Sequence, residues 1–153
     1  MAAGPGGREA PKTPASHIVH ASSVRWLERG LLIRGRSGTG KSELVVRLLE
    51  AGARLVADDL VVLEAGPRGL RARPPAPGGL LEMRGAGIFN VAAGGPTPLH
   101  LVVELRRRAG DARLPEFART TICGVELPQV TVDPFLASAV ARLRLILHAT
   151  RIA

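Results

Sequence analysis

Short apolar runs broken by glycine, proline and paired charges recur along this chain, and their spacing predicts strands with two helices among them. Ile18 to His20, Val24 to Leu27 and Leu31 to Arg34 read as strands, with Glu28-Arg29-Gly30 as a hairpin turn. Lys41 to Ala51 has helical periodicity: Leu44, Val45, Leu48 and Leu49 share a face, Glu43 and Arg47 stand at i,i+4, and Gly52 is a stop. Arg54 to Ala57 runs into Asp58-Asp59, and Leu60 to Leu63 continues extended. Gly66 to Gly79 reads as loops around a short strand at Leu70 to Ala72. Leu99 to Leu105, Ile122 to Leu127 and Val130 to Val132 are further strands, while Ala112 to Phe117 is polar and irregular. Phe135 to Ala149 predicts a closing helix with Leu136, Val140, Leu143 and Leu147 on one side, suited to the core or to a subunit contact. Residues 1–16, rich in Gly, Pro and Ala, predict a disordered tail ahead of one folded domain over 17–153.

The chemistry concentrates after the strand at Leu31 to Arg34. Gly35-Arg36-Ser37-Gly38-Thr39-Gly40-Lys41-Ser42 is G-x-x-x-x-G-K-S, a loop whose backbone N–H groups converge on phosphates at a helix N-terminus. All eight residues are candidates for nucleotide binding: Lys41 would reach the terminal phosphates and Ser42 would bind Mg2+. Arginine outnumbers lysine 19 to 2, so a lysine at this position points to a need for a compact ammonium.

Charge changes this picture little. The net charge of +8 invites a nucleic-acid partner, but Tyr is absent, aromatics make up 3% of the chain, and Arg106-Arg107-Arg108 is the only basic run. A stacking surface for bases is therefore not expected, and an acidic or phosphorylated protein partner suits the same charge. No apolar run is long enough to cross a membrane, and the start lacks a signal-peptide core, which predicts a cytoplasmic protein. The single Cys123 reads as a small buried residue.

Asp58 and Asp59 follow the next strand, 17 residues beyond Ser42 for the second of them. At a strand's C-terminal end one carboxylate can approach the terminal phosphate while the other, on the opposite face, orients it or the metal shell. Paired aspartates also mark ordinary strand exits. Metal-binding aspartates of common phosphate-loop enzymes usually come from a much later strand, so this early pair points away from GTPases and small-molecule kinases.

These segments resemble the HPr kinase/phosphorylases, a family of bacterial protein-serine kinases. The resemblance rests on His20, on Gly35 to Ser42, on Leu55-Val56-Ala57-Asp58-Asp59, and on Leu81-Glu82-Met83-Arg84-Gly85-Ala86-Gly87-Ile88-Phe89-Asn90-Val91. The last stretch looks like the family's L-E-I-R-G-x-G-I-I-N-V signature. The resemblance implies an α/β phosphate-loop domain of the phosphoenolpyruvate carboxykinase-like type, with a mixed β-sheet. It implies ATP and Mg2+ as cofactors and an HPr-type phosphocarrier as substrate, in a homo-oligomer, typically a hexamer. Asp59 would take the proton from the substrate serine, His20 would assist near the phosphates, and Lys41 would neutralise the moving phosphoryl group; Ser42 and Glu82 would hold Mg2+. Arg113 matches a later arginine that stabilises the transition state, and Asp58, Arg84, Gly85, Gly87 and Asn90 would support the site. Each has a plainer alternative: Glu82 could pair with Arg84 two residues on, and Gly85 and Gly87 could only shape a turn. Members with both activities carry two arginines where this chain has Val132-Asp133-Pro134-Phe135-Leu136-Ala137, which calls phosphorylase activity into question. The usual extra N-terminal domain is not matched, as in a shortened form of the family. Two other readings of the phosphate loop predict different behaviour: a small-molecule kinase, and a non-catalytic nucleotide sensor.

Overall fold

The computed structural model describes residues 16–107 and 117–152, so the expected tail, apart from Ser16, and Arg113 lie outside the described residues. Ser16 opens the first strand, one residue before order was expected. In chain order the elements are β1 (Ser16–His20), β2 (Ser22–Trp26), β3 (Arg29–Arg34), α1 (Lys41–Glu50), β4 (Arg54–Ala57), β5 (Leu60–Gly66), β6 (Gly69–Arg73), β7 (Leu80–Met83), β8 (Gly87–Asn90), β9 (Thr97–Leu105), β10 (Phe117–Ile122), β11 (Val125–Val132) and α2 (Ala139–Ile152).

Nine strands form one curled mixed sheet in the order β1-β5-β6-β9-β3-β2-β4, with β11 and then β10 branching from β9, while β7 and β8 make a separate hairpin. The long β9 is the hub. It pairs in parallel with β3 through Leu99 to Glu104 and with β11 through Val102 to Leu105, and its first residues, Thr97 and Pro98, pair antiparallel with β6. The parallel pairs bring the C-terminal ends of β3, β9 and β11 to one edge, and that edge carries the phosphate-loop sequence. Arg34 ties the three strands together there, meeting Glu104 at 3.1 Å and Gln129 at 3.1 Å.

Alternation along the strands builds two cores. Leu31 and Ile33 of β3, with Leu101 and Val103 of β9, pack against Leu44, Val45 and Leu48 of α1 and Leu143 and Leu147 of α2. Leu32 and Val102 point the other way, into a second core with Val61 and Leu63 of β5 and Leu70 and Ala72 of β6. A β3 strand buried on both faces explains its uninterrupted apolar run.

Four local readings of the sequence are corrected by the structure. The β2–β3 hairpin turns at Leu27-Glu28, both at positive φ (52° and 63°), because Trp26 pairs with Arg29; a two-residue turn matches the strand twist better than the expected 28–30 loop. The apolar run Ile122 to Leu127 is a second such hairpin, reversing at Cys123-Gly124 with φ of 50° and 78°. Helix α2 begins at Ala139 rather than at Phe135, since the Asp133 carboxylate accepts the Phe135 N–H at 2.9 Å and holds the chain in turns. Glu43 and Arg47 form no ion pair; Arg47 turns instead to the carbonyls of Pro134, Leu136 and Ala137.

Candidate active site

The glycine-rich loop leaves β3 at Gly35 and enters α1 at Lys41. Gly40, the residue before the helix, has φ of 99°, a region that side chains rarely adopt. A Cβ there would lie 2.6 Å from the Pro134 ring and 3.0 Å from that of Phe135, so backbone conformation and crowding both require glycine. Within the loop the Thr39 hydroxyl donates to the Arg36 carbonyl at 2.6 Å, and Lys41 Nζ donates to the Gly35 carbonyl at 2.7 Å. The first helical bond runs from the Leu44 N–H to the Gly40 carbonyl, so the amides of Lys41, Ser42 and Glu43 precede the ladder at the positive end of the α1 dipole.

A cleft of about 440 Å³ opens at this helix end. It is lined by Ser37, Gly38, Gly40, Lys41, Ser42 and Glu43 of the loop and α1, by Phe135 packed beside Gly40, and by Ser22, Asp58, Asp59, Glu82 and Arg84. Asp58 and Asp59 occupy the turn between β4 and β5 and do not alternate as strand neighbours. Asp59 has φ of 70°, and the Leu60 N–H bonds across it to the Asp58 carbonyl at 2.8 Å, closing a γ-turn of the rare positive-φ kind. The opposite-face expectation therefore fails, and both carboxylates line the same cleft. Strained backbone of this sort tends to persist where function holds it.

The Asp58 carboxylate is a junction. Its Oδ1 accepts the Ser22 hydroxyl at 3.3 Å and its Oδ2 accepts the Glu82 N–H at 3.4 Å, which moors the β7–β8 hairpin to the cleft. Burial raises its pKa above the usual 3.8, against the lowering effect of the Glu82 N–H and the Ser22 hydroxyl; the Asp59 and Glu82 charges push further upward. Glu82 and Arg84 make no ion pair with each other among the described residues and both face the cleft. Gly85 and Gly87, with φ of 81° and 124°, shape the turn joining β7 to β8. Asn90 pairs with Leu80 at the far end of that hairpin.

Most of the expected set converges. Ser37, Gly38, Gly40, Lys41, Ser42, Asp58, Asp59, Glu82 and Arg84 share the cleft wall, while Gly35, Arg36 and Thr39 form the loop behind it. His20 does not line the cleft; it ends the exposed strand β1 opposite Leu60, two residues from Ser22. Sequence reasoning missed Ser22, Glu43 and Phe135. Phe135 stands beside Gly40 with the Arg107 guanidinium 4.5 Å from its ring centroid. No three His, Cys, Asp or Glu residues gather into a metal site among the described residues. Ser42 and Glu82 do offer hard oxygen donors in one cleft, which fits Mg2+, an ion usually held by one or two carboxylates with substrate phosphates and water.

Comparison with known proteins points to one family. The family model described as HPr Serine kinase C-terminal domain matches residues 12–143. An HPr kinase/phosphorylase from Burkholderia lata is 36% identical over 127 residues, covering 75% of this chain and 39% of that protein. One from Neisseria meningitidis is 44% identical over 79 residues, covering 50% of this chain and 25% of the relative. This chain thus spans well under half the length of these relatives. The solved structure of the Hpr(Ser) kinase/phosphatase from Coxiella burnetii superposes with a TM-score of 0.76 at 24% identity, covering 89% of this chain and 97% of that one, a likeness of fold.

Proposed function

Because this chain belongs to the HPr serine kinase C-terminal domain family, we propose that its cleft transfers the terminal phosphoryl group of ATP, with Mg2+, to a serine hydroxyl of an HPr-type phosphocarrier protein. The observation that carries this reading is the meeting of a phosphate loop with two carboxylates and Glu82 in one cleft. A phosphate loop alone suits any nucleotide-binding protein, whereas a carboxylate in the same cleft as Lys41 supplies what a hydroxyl nucleophile needs.

In this reading the amides at the start of α1 and the Lys41 ammonium bind the polyphosphate. Lys41 leaves the Gly35 carbonyl, a neutral partner, for the stronger attraction of the phosphate charge. Asp59 accepts the proton of the serine hydroxyl as its oxygen attacks phosphorus, and the bond to the ADP oxygen breaks in line. Ser42 and Glu82 would hold Mg2+, which would supply charge neutralisation to the phosphates. Arg84 faces the same space as a further cation for the transferred group. Asp58 orients Asp59 and β7 and is not itself the proton acceptor. His20 assists near the phosphates, and Arg113 acts as a stabiliser of the transition state. The fold type is that of phosphoenolpyruvate carboxykinase-like phosphate-loop proteins, for which a mixed sheet is the supporting feature. Of the family's two activities the kinase is the one this reading assigns; phosphorylase activity is in question, since Val132-Asp133-Pro134-Phe135-Leu136-Ala137 lacks the two arginines. In this reading the protein works in the cytoplasm beside its carrier, as a homo-oligomer, as the family resemblance implies.

The test is transfer of labelled phosphate from ATP with Mg2+ to an HPr-type protein of the same organism, by the wild type and by Lys41→Ala. Label on a serine, lost in the variant, is expected. ATP turnover that leaves the carrier unlabelled would point to a small-molecule kinase instead.

A further inference from the structure

Ser22 opens β2 and is only 2% exposed, yet it borders the cleft. A side chain so buried at a strand start needs no hydroxyl for packing, and an unpaired one would be costly. Its hydroxyl works as both donor and acceptor: Oγ donates to Asp58 Oδ1 at 3.3 Å and accepts the Asp59 N–H at 3.4 Å. Next to it, the Ala21 N–H donates to the Asp59 carbonyl at 3.2 Å. Both backbone polar groups of Asp59, in its left-handed γ-turn, are thus gripped by residues 21 and 22, while Leu60 closes the turn from the other side.

We propose that Ser22 is a positioning residue that holds Asp59 in its left-handed turn and fixes the Asp58 carboxylate beside it, so that Asp59 faces the phosphate loop. The inference rests on Asp59 being the proton acceptor. Aspartate reaches φ of 70° more readily than most L-residues but still at a backbone cost, and an anchor on its N–H offsets that cost and keeps the carboxylate on the cleft side. The Ser22 bonds are long, as such bonds often are before substrate closes a site, and they have room to shorten when phosphate charge enters.

The experiment compares Ser22→Ala, Ser22→Cys and Ser22→Thr in the full chain. Cysteine nearly keeps the volume but offers only a weak donor and acceptor, so it guards against a fold lost through packing; threonine keeps the hydroxyl. Three quantities are read: steady-state phosphate transfer to the carrier protein, the thermal midpoint, and hydrogen exchange at the Asp59 amide. Alanine and cysteine are expected to lower kcat roughly tenfold or more, about one hydrogen bond's worth, with the KM for ATP little changed. The Asp59 amide should exchange faster in both, and threonine should restore kcat and protection together. The proposal is overturned by an unchanged kcat in folded Ser22→Ala, by threonine as slow as alanine, or by an Asp59 amide that exchanges alike in all variants. Were the wild type to leave the carrier unlabelled, the substrate reading would fall, and amide exchange would still decide whether Ser22 holds Asp59.

Discussion

Removal of the Arg47 side chain should loosen two parts of the protein at once. From α1 its guanidinium donates to the carbonyls of Pro134 at 2.6 Å, Leu136 at 3.2 Å and Ala137 at 3.0 Å, three acceptors in the turns ahead of α2. Those turns press Pro134 and Phe135 onto Gly40 and deliver Ala139, Leu143 and Leu147 to the core. A charge-assisted hydrogen bond contributes about 1.5–3 kcal/mol when sheltered. The bond to Ala137 is exposed and all three share one side chain, so the sum is discounted to about 2–4 kcal/mol for Arg47→Ala. Urea unfolding of wild type, Arg47→Ala and Arg47→Lys measures it, with ATP affinity followed in parallel. Lysine should recover less than half of the loss, because one ammonium cannot span three carbonyls as a planar fork does. ATP affinity should fall with the alanine variant, since the wall behind Gly40 is freed. An alanine variant within about 0.5 kcal/mol of wild type, the range of an indifferent surface change, would refute the reasoning, as would a lysine variant equal to arginine.

Further consequences follow from single contacts. Gly30 sits where β9 has one extra residue, pairing with Leu99 while Leu31 pairs with Leu101, and its Cβ would run into the Pro98 carbonyl oxygen. Gly30→Ala should therefore cost about 3 kcal/mol or more in chemical unfolding, and a loss under about 1 kcal/mol would show that the bulge yields easily. The extra residue, His100, accepts the Gly30 N–H on Nδ1 at 3.2 Å, and partial desolvation, then the charge of Arg29, lower its pKa from the usual 6.5. The folded protein thus resists protonation of His100 more than the unfolded chain does, so stability should fall as pH drops below 6.5. Melting curves of wild type and His100→Gln over about pH 5–8 should diverge on the acid side, and parallel curves would remove His100 as the cause.

How far the sequence revealed this protein depended on whether a local signal competed with a tertiary one. Leu31 to Gly52 was legible because an apolar run, a glycine loop, a helical face and a glycine stop agree with one another. The family resemblance named Asp59, Lys41, Ser42 and Glu82, and the fold brings all four into one cleft. Ile122 to Leu127 misled because an apolar run gives no sign of a reversal whose first residue is Cys123 rather than the usual Asn or Gly. The start of α2 misled for a different reason: Phe135 and Leu136 continue the helical stripe, but Asp133 and Arg47 bind the backbone in turns, which only the folded chain supplies. Arg47 was assigned to Glu43 by helix spacing, and three carbonyls 87–90 residues away outcompete that partner. Ser22 carried no signal at all, being one small residue between two predicted strands whose importance appears once the Asp59 N–H is seen to need an acceptor.

Asp59→Asn, measured for ATP affinity and single-turnover phosphate transfer together, tests the central claim most directly. Asparagine tolerates positive φ as well as aspartate does, so the turn at φ of 70° should survive and the fold with it. The account predicts ATP binding close to that of wild type and transfer slower by about 10²-fold or more, the loss of a general base. Equal transfer by wild type and variant, or ATP binding lost along with transfer, would contradict it.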